Sequence, residues 1–495
     1  MTPAGDPVPP TGSPAPARPG PTGRAPSRVL VPVLVLVATV VAVTSSVGAP
    51  LIPAVADLYD VPLHVAQWSL TMPLLVGAVA TPVLGRLGDG SHRRAVALTA
   101  LTLVVLGGVL TALPLTLGWF LAGRGLQGFG LGLMPLLIAT AREALPPDRS
   151  RRTIAALSIT VVSGVGLGYP IAGAITTYAG ATAAFWTATA VCAGALAAAA
   201  LVLPPASAAP PRRFDLPGAL LLGAGLAGAL VTLSEGEGWG WTSGRVLLLG
   251  SAALVLLAAW AALALRTRAP LIDLRLARGR LPASGHASVL LVSLANYLML
   301  GSVPILAQTP ADSGYGFGAS GLVAGLLLLP FSLAGMLAGP LSRRLGERVR
   351  PRVVLVVGAL LMAAAQGLFA AYRSELWVLL VVTAVAGLGV STVFAAAAGL
   401  VVSAVPPRET GSAMALNQVL RYAGFAVGSA STATVLAVAT PAGGELPAGV
   451  AYTVIGVIGS ATCVLAALVV WFLAGRSPAQ PPSVAPRASG DTVRA

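Results

Sequence analysis

The amino-acid sequence predicts an all-α polytopic membrane protein, with about 14 transmembrane helices in two six-helix halves and an inserted central helix pair. Three observations support this prediction: the composition, a series of long apolar runs, and an internal repeat. Of the 495 residues, 56% are hydrophobic and only 9% are charged, and the mean hydropathy is +0.87. Soluble domains carry about 25% charged residues. A chain with so little charge requires lipid as its solvent.

Apolar runs recur along almost the whole chain, and about 20 mostly apolar residues cross a bilayer. Residues 1–28 and 475–495 lack apolar periodicity and are predicted to be disordered cytoplasmic tails. Residues 29–203 are predicted to form the N-terminal half, 204–280 a linker containing the inserted pair, and 281–474 the C-terminal half. The predicted spans are 29–54, 66–87, 95–116, 118–140, 153–178, 181–203, 216–234, 245–265, 284–307, 319–340, 353–371, 376–399, 411–438 and 449–474.

The charged residues predict the orientation of the chain. The sequence has no lysine, and its 30 arginines against 16 acidic residues give a net charge of +14. In a soluble protein this balance would suggest a nucleic-acid partner, but the arginines lie in short segments between apolar runs and form no continuous basic face. Their clusters follow even-numbered spans, whereas Asp57, Glu235 and Asp312 follow odd-numbered ones. The positive-inside rule therefore predicts that both termini are cytoplasmic, and no nucleic acid is expected as a partner.

The chain also repeats itself. Residues 85–89, after span two, resemble residues 339–343, after span ten. Residues 168–174 in span five resemble residues 424–430 in span thirteen, and the two pairs are separated by nearly the same interval. Chance similarity between glycine-rich helices is the alternative for either pair alone. Two homologous halves joined by a cytoplasmic linker are the architecture of a secondary transporter with its site between the halves.

Cysteine and histidine are too few to indicate a cofactor or an enzyme. The 2 cysteines lie inside apolar runs, and the 3 histidines lie near predicted span ends. They provide neither a metal-ligand cluster nor a nucleophile and base pair at a membrane face. No cofactor, no metal and no enzymatic activity are expected. A membrane-embedded enzyme and a non-transporting sensor are the alternatives from other classes.

Four segments carry a resemblance to a known family. Residues 85–94 resemble the loop signature of the major facilitator superfamily, and residues 121–130, with Arg124, resemble its motif in span four. Residues 164–173 resemble the antiporter motif of span five, and residues 214–241 resemble the inserted pair of the fourteen-span drug:proton antiporters. The chain departs from these patterns because it lacks the acid that is typical of span one in that group.

This resemblance implies a fold and a function. The implied fold is that of the major facilitators, and the implied function is export of hydrophobic or amphiphilic small molecules by proton antiport with alternating access. The expected partners are a small-molecule substrate, protons as the coupling ion and the lipid bilayer. A monomer in the plasma membrane of a bacterial cell is expected. A dedicated exporter of one endogenous metabolite is a second interpretation, which the sequence does not separate from a multidrug pump.

Arg124 is the most informative single residue. It lies inside span four, where an unpaired arginine costs roughly 3 kcal/mol. Gln127 lies three positions further on, on the same helix face, so both residues are predicted to line the coupling or substrate pathway. The alternative is that Arg124 extends to the outer headgroups. Arg421 in span thirteen is a weaker candidate of the same kind, and its alternative is extension to the inner headgroups.

Two further groups of site residues follow from the motifs. A latch that holds the halves together on the cytoplasmic side is predicted for Gly85, Asp89, Arg93 and Arg94, with a solvated basic turn as the alternative. A close-packed helix that seals the two halves is predicted for span five, with helix packing that has no functional role as the alternative. Its residues are Gly164, Gly168, Pro170 and Gly173.

The remaining candidates are uncharged. No Asp or Glu lies in the central part of any predicted span, so the acids left to carry a coupled proton are at span ends. Polar residues at cavity depth, surrounded by apolar ones, predict a hydrophobic cavity with few hydrogen-bonding groups. They are Thr44, Ser45, Asn296, Tyr297, Asn417 and Gln418.

Overall fold

The structure is a computed structural model, and every regular element it describes is a helix. The predicted tails lie outside the described part of the chain. The described residues are 27–46, 48, 51–88, 92–205, 215–268, 270–277, 279–346, 348–403, 410–441, 444 and 446–474.

The helices follow one another with short connections. Three short 3₁₀ segments, Gly128–Gly132, Leu274–Ala277 and Ala311–Ser313, lie between them. The α-helices are α1 (Ser27–Ser46), α2 (Ile52–Tyr59), α3 (Leu63–Ala66), α4 (Trp68–Leu87), α5 (Arg93–Ala112), α6 (Leu117–Gln127), α7 (Leu133–Ala144), α8 (Pro147–Val202), α9 (Leu216–Trp239), α10 (Gly244–Arg266), α11 (Arg280–Gln308), α12 (Gly321–Gly346), α13 (Pro351–Ala371), α14 (Leu376–Ser403), α15 (Thr410–Val438) and α16 (Val450–Ala474).

Eleven helical segments in the described ranges are long and apolar enough to cross a membrane. Many large apolar side chains on these helices are exposed, among them Leu248 at 73% and Leu201 at 87%, as expected where lipid replaces water. The polytopic all-α class is thereby confirmed. The full count of about 14 spans remains a prediction.

Helix α8 contains two of the predicted spans. Its helical conformation is broken at Gly180, whose φ of 85° lies in the left-handed region. Glycine adopts this conformation without steric cost because it has no Cβ. The break falls between predicted spans five and six.

Spans one and four differ from the sequence prediction. Helix α1 ends at Ser46, and a new helix begins at Ile52 with Pro53 in its first turn, because proline fits a helix start but interrupts a helix interior. Span four divides into α6, a 3₁₀ segment and α7. A Cβ on Gly128 in that 3₁₀ segment would lie 2.6 Å from the Pro73 carbonyl oxygen, so the glycine allows the segment to pack directly on the α4 backbone.

The N-terminal and C-terminal halves meet along two seams. Helix α4 packs on α15, and helix α8 packs on α12. Within the C-terminal half, α11 packs against α14, α15 and α16. Any cavity between the halves is therefore bordered by these two seams.

The inserted pair lies on the first seam. Helices α9 and α10 pack on each other, and α9 also contacts α4 and α15. Asp215 fixes the start of α9, because its Oδ1 accepts a hydrogen bond from the Gly218 amide at 2.9 Å and its Oδ2 accepts one from the Leu271 amide at 3.0 Å. Near the other end, the Thr434 hydroxyl of α15 donates to the Leu233 carbonyl at 2.8 Å. The pair is thus attached at both ends.

The predicted orientation is testable with single cysteines, since the two native thiols are buried. In intact cells, Thr242→Cys and Ala311→Cys are expected to react with a membrane-impermeant maleimide, because both positions are exposed in predicted outer loops. Arg149→Cys, exposed at a predicted inner end, is expected to react only after the cells are permeabilised. Labelling of Arg149→Cys in intact cells would contradict the topology.

Candidate functional site

Arg124 is fully enclosed in the N-terminal half, with 1% of its surface exposed. Its Nε donates to the Ser69 carbonyl of α4 at 2.8 Å, and one terminal nitrogen donates to Gln127 Oε1 at 2.5 Å. The Gln127 amide in turn donates to the Thr111 hydroxyl of α5 at 3.3 Å. The side chain therefore joins three helices inside the protein and does not extend to the outer headgroups.

Two glycines allow the close helix contact on which this network depends. A Cβ on Gly107 of α5 would lie 2.8 Å from Leu126 Cβ, and one on Gly123 of α6 would lie 2.7 Å from the Gly107 carbonyl oxygen. The two backbones therefore touch, as in other small-residue interfaces of membrane helices. This contact brings Thr111 within reach of Gln127.

One terminal nitrogen of Arg124 is buried and has no hydrogen-bond partner among the described residues. It points toward the end of α1, since a Cβ on Gly48 would lie 3.3 Å from it. A buried donor without a partner costs about 1–3 kcal/mol. The geometry thus leaves Arg124 able to donate one further hydrogen bond.

The basic residues of the predicted latch bind helix ends. Arg93 forms an ion pair with Glu143 at the end of α7, and its Nε donates to the Gly88 carbonyl at 3.2 Å. Arg94 donates to the Ala200 carbonyl at 2.7 Å. These contacts stay inside the N-terminal half. Gly85 lies in the last turn of α4, where a Cβ would meet nothing within 4 Å, and Asp89 lies outside the described residues.

Glu143 was missed in the sequence analysis. It directly follows Arg142 at the end of span four, in a segment that reads as an ordinary charged helix end. Its pairing with Arg93, 50 positions earlier, depends on how α5 and α7 pack. An available signal was that Glu143 is an acid at a predicted inner span end where arginines predominate.

The antiporter-motif helix meets the other half at the second seam. A Cβ on Gly325 of α12 would lie 2.5 Å from the Tyr169 carbonyl oxygen and 2.8 Å from Pro170 Cα. A Cβ on Gly173 would lie 2.7 Å from the Gly321 carbonyl carbon. Gly168, like Gly164, lies in α8, and the surroundings of Gly164 lie outside the described residues. The predicted close packing of this helix is therefore observed from Tyr169 to Gly173.

Side-chain hydrogen bonds also join the halves. The Thr71 hydroxyl of α4 donates to Ser429 Oγ of α15 at 2.8 Å, and Gln67 Nε2 donates to the same oxygen at 3.4 Å. At the other seam, the Leu322 amide donates to Thr177 Oγ1 at 3.2 Å. All of these residues lie toward the ends predicted to face outside. In the described part of the chain, the halves are thus bonded together on that side.

The predicted cavity residues divide into three groups. The side chains of Thr44 and Ser45 lie outside the described residues. Asn296 and Asn417 are buried, and Asn296 Oδ1 and Asn417 Nδ2 have no hydrogen-bond partner in the described chain. Tyr297 is buried, and its ring centroid lies 4.3 Å from that of Phe425, while Gln418 is half-buried.

Arg421 contacts aromatic rings. Its guanidinium carbon lies 5.3 Å from the centroid of Phe394 and 5.4 Å from that of Tyr422. The Tyr422 hydroxyl donates to the Leu131 carbonyl of the N-terminal half at 3.3 Å. The sequence analysis named Arg421 as a candidate but did not identify these rings.

A buried arginine at membrane depth, and buried amides with unpaired polar atoms, in two helical halves that hydrogen-bond to each other are expected of a membrane transporter for small solutes. The model of the Major Facilitator Superfamily matches residues 34–272 and 285–494, and the chain belongs to this superfamily. The family resemblance and the prediction of a transporter in place of an enzyme are confirmed.

Curated relatives and solved structures agree with this assignment. The Multidrug resistance protein B homolog of Mycobacterium tuberculosis is 30% identical over 386 residues, which cover 75% of this chain and 69% of the relative. The Tetracenomycin C resistance and export protein of Streptomyces glaucescens is 26% identical over 406 residues, covering 80% and 73%. The POT family transporter PepTSo shares the fold, with a TM-score of 0.64 at 14% identity over 90% of this chain and 97% of that chain.

Replacing Arg124 with lysine tests the network. Lysine keeps the charge but cannot donate to Ser69 and Gln127 from one rigid plane. We expect Arg124→Lys to lower the initial rate of dye transport in vesicles by at least about tenfold, or about 1.4 kcal/mol. Arg352→Lys, at a predicted inner helix end over Trp471, is the control and should retain the rate. Full activity of Arg124→Lys at matched protein levels would contradict the assigned role.

Close packing at the second seam is tested with two glycines of the same helix. Gly325→Ala places a methyl group against the α8 backbone, whereas Gly339→Ala in α12 meets nothing within 4 Å. Overpacking of this kind costs about 1–3 kcal/mol. We expect a lower Tm in detergent and slower transport for Gly325→Ala only. Equal Tm values and equal rates for the two variants would show that α8 and α12 can move apart without loss of stability or transport.

Proposed function

We propose that this transporter exports hydrophobic or amphiphilic small molecules from the cytoplasm in exchange for protons, by alternating access to one cavity between its halves. The observation that carries the proposal is the enclosed Arg124, which keeps one donor unpaired at membrane depth. The names of two relatives, a multidrug resistance protein homolog and a tetracenomycin C resistance and export protein, support efflux as the direction.

The hydrogen bonds at the predicted outer ends support alternating access. With Thr71 bonded to Ser429 and Thr177 to Leu322, the described structure fits a state closed to the outside. Substrate enters from the cytoplasm in this state, and the halves rock to open the outer side. Both termini are cytoplasmic in this scheme, and a monomer in the bacterial plasma membrane is sufficient because one chain supplies both halves.

Asp89 acts in this proposal as the acid of the cytoplasmic latch, next to Gly85 and the helix ends that Arg93 and Arg94 hold. A carboxylate there accepts hydrogen bonds from a helix N-terminus of the opposite half when the inner side closes. Its role is in the conformational step and not in substrate recognition.

Coupling to protons is tested by collapsing the gradient. In inside-out vesicles we expect uptake of a lipophilic fluorescent dye to stop when a protonophore is added, because the proton gradient is the energy source of antiport. Nigericin, which removes only the pH difference, should have the same effect. Vesicles that contain Arg124→Lys, in which transport is expected to be slow, give the matched background rate of dye uptake. Uptake that continues at an unchanged rate after protonophore addition would leave a facilitative transporter and reject the antiport proposal.

A further inference from the structure

Arg421 lies deep within the C-terminal half. It is 11 residues after the first residue of α15, which corresponds to about 16 Å along the helix axis. Its guanidinium lies over Phe394, which is 9 residues, or about 13 Å, before the last residue of α14. Both depths exceed the length of an arginine side chain. Arg421 therefore lies along the bodies of these helices and not at their inner ends.

The surroundings of Arg421 are aromatic. Phe425 is central, with its ring centroid 4.3 Å from Tyr297 and 6.1 Å from both Phe394 and Tyr422. We call these four rings and Arg421 the arginine–aromatic site. Three helices, α11, α14 and α15, contribute to it. It is a cluster of mutually tilted aromatic rings that carries one permanent positive charge.

The site faces the N-terminal half. The Tyr422 hydroxyl bonds to Leu131 between α6 and α7. Arg421 lies on the same helix one position before Tyr422, over whose ring its guanidinium is placed at 5.4 Å. Arg421 and Arg124 each have a buried nitrogen without a hydrogen-bond partner in the described residues: Nε of Arg421 and one terminal nitrogen of Arg124.

Among the described residues, neither Arg421 nor Arg124 forms an ion pair with a carboxylate. No Asp or Glu lies in the central part of any predicted span, and the acids closest to Arg421 in sequence are at the ends of α14 and α15. A buried cation without a carboxylate is strongly destabilised, and an anion that enters the site relieves this cost. A ligand with a negative charge is therefore favoured over a neutral one.

The same geometry disfavours cationic ligands. Aromatic rings attract cations through their faces, but Arg421 already lies over two of the four rings. A second cation would be repelled by Arg421 and by Arg124 in a medium of low dielectric. Planar aromatic ligands still stack on the remaining ring faces.

We propose that the substrates are planar aromatic acids, in which a carboxylate, sulfonate or acidic phenolate binds Arg421 while the ring system stacks against Phe425 and Tyr297. This assignment rests on the proposed export function and names its substrate class. The anionic group supplies an acceptor for the Nε of Arg421, which has no hydrogen-bond partner among the described residues.

Two dyes with the same xanthene ring system and opposite charge test the proposal: anionic fluorescein and cationic rhodamine 123. Binding to the purified full-length protein is measured by fluorescence anisotropy at neutral pH. We expect the Kd of fluorescein to be at least about tenfold lower than that of rhodamine 123. Arg421→Gln should weaken fluorescein binding by about tenfold or more without weakening rhodamine 123 binding, and Arg421→Lys should give an intermediate Kd.

Arg352→Gln is the matched control, because Arg352 also lies over an aromatic ring, 5.0 Å from the Trp471 centroid, but at a predicted inner helix end. It should leave both Kd values unchanged. If Arg421→Gln does not fold, Phe425→Leu, which removes a ring on which the ligand stacks and keeps the charge, should weaken binding of fluorescein and retain the preference for it.

Equal Kd values for the two dyes, or an unchanged fluorescein Kd in Arg421→Gln, would overturn the substrate class. Tighter binding of rhodamine 123 together with its protonophore-sensitive transport would reject this inference and leave the export proposal in place. Failure of the protein to bind or transport either dye would reject both.

Discussion

Close backbone contact between helices is the constraint on which the rest of this structure depends. In a bilayer, moving an apolar side chain from lipid into a helix interface gains little free energy, because both environments are apolar. Helices therefore associate through van der Waals contact between small residues and through hydrogen bonds. The pairs Gly107 with Gly123 and Gly173 with Gly321 provide such contacts, one within a half and one between halves. The first pair also brings Thr111, Gln127 and Arg124 into one network. Glycine contacts of this kind therefore determine both how the helices pack and where the Arg124 network forms.

Much of the fold is readable from the sequence because composition and apolar length are strong signals in membrane proteins. Apart from the interruptions in spans one and four, the described helices lie where the apolar runs predict them, and the break at Gly180 separates spans five and six. The interruption of span four at Gly128–Gly132 was not predicted. An apolar run has the same hydropathy whether its backbone is α-helical or 3₁₀, and the deciding contact is with α4, which is distant in sequence.

The site was predictable only where one helix determines it. Gln127 lies beside Arg124 because they are three positions apart on α6. Glu143 as the partner of Arg93, and Phe394 as the ring under Arg421, depend on how separate helices pack. Hydropathy contains no information about that packing. Sequence reasoning therefore identified the charged residues at unusual depth but not the groups that surround them.

The inserted pair, α9 and α10, makes the α4–α15 and α8–α12 seams differ in the surface that each presents to the bilayer. Helix α9 lies along the α4–α15 seam, bonded to Asp215 at its start and to Thr434 near its end. On the α8–α12 side, Leu167 and Ile171 of α8 are exposed by 54% and 57%. A molecule dissolved among the acyl chains thus meets a covered face on one side and an uncovered helix pair on the other. A compound that partitions into the acyl chains therefore meets different protein surfaces at the two seams.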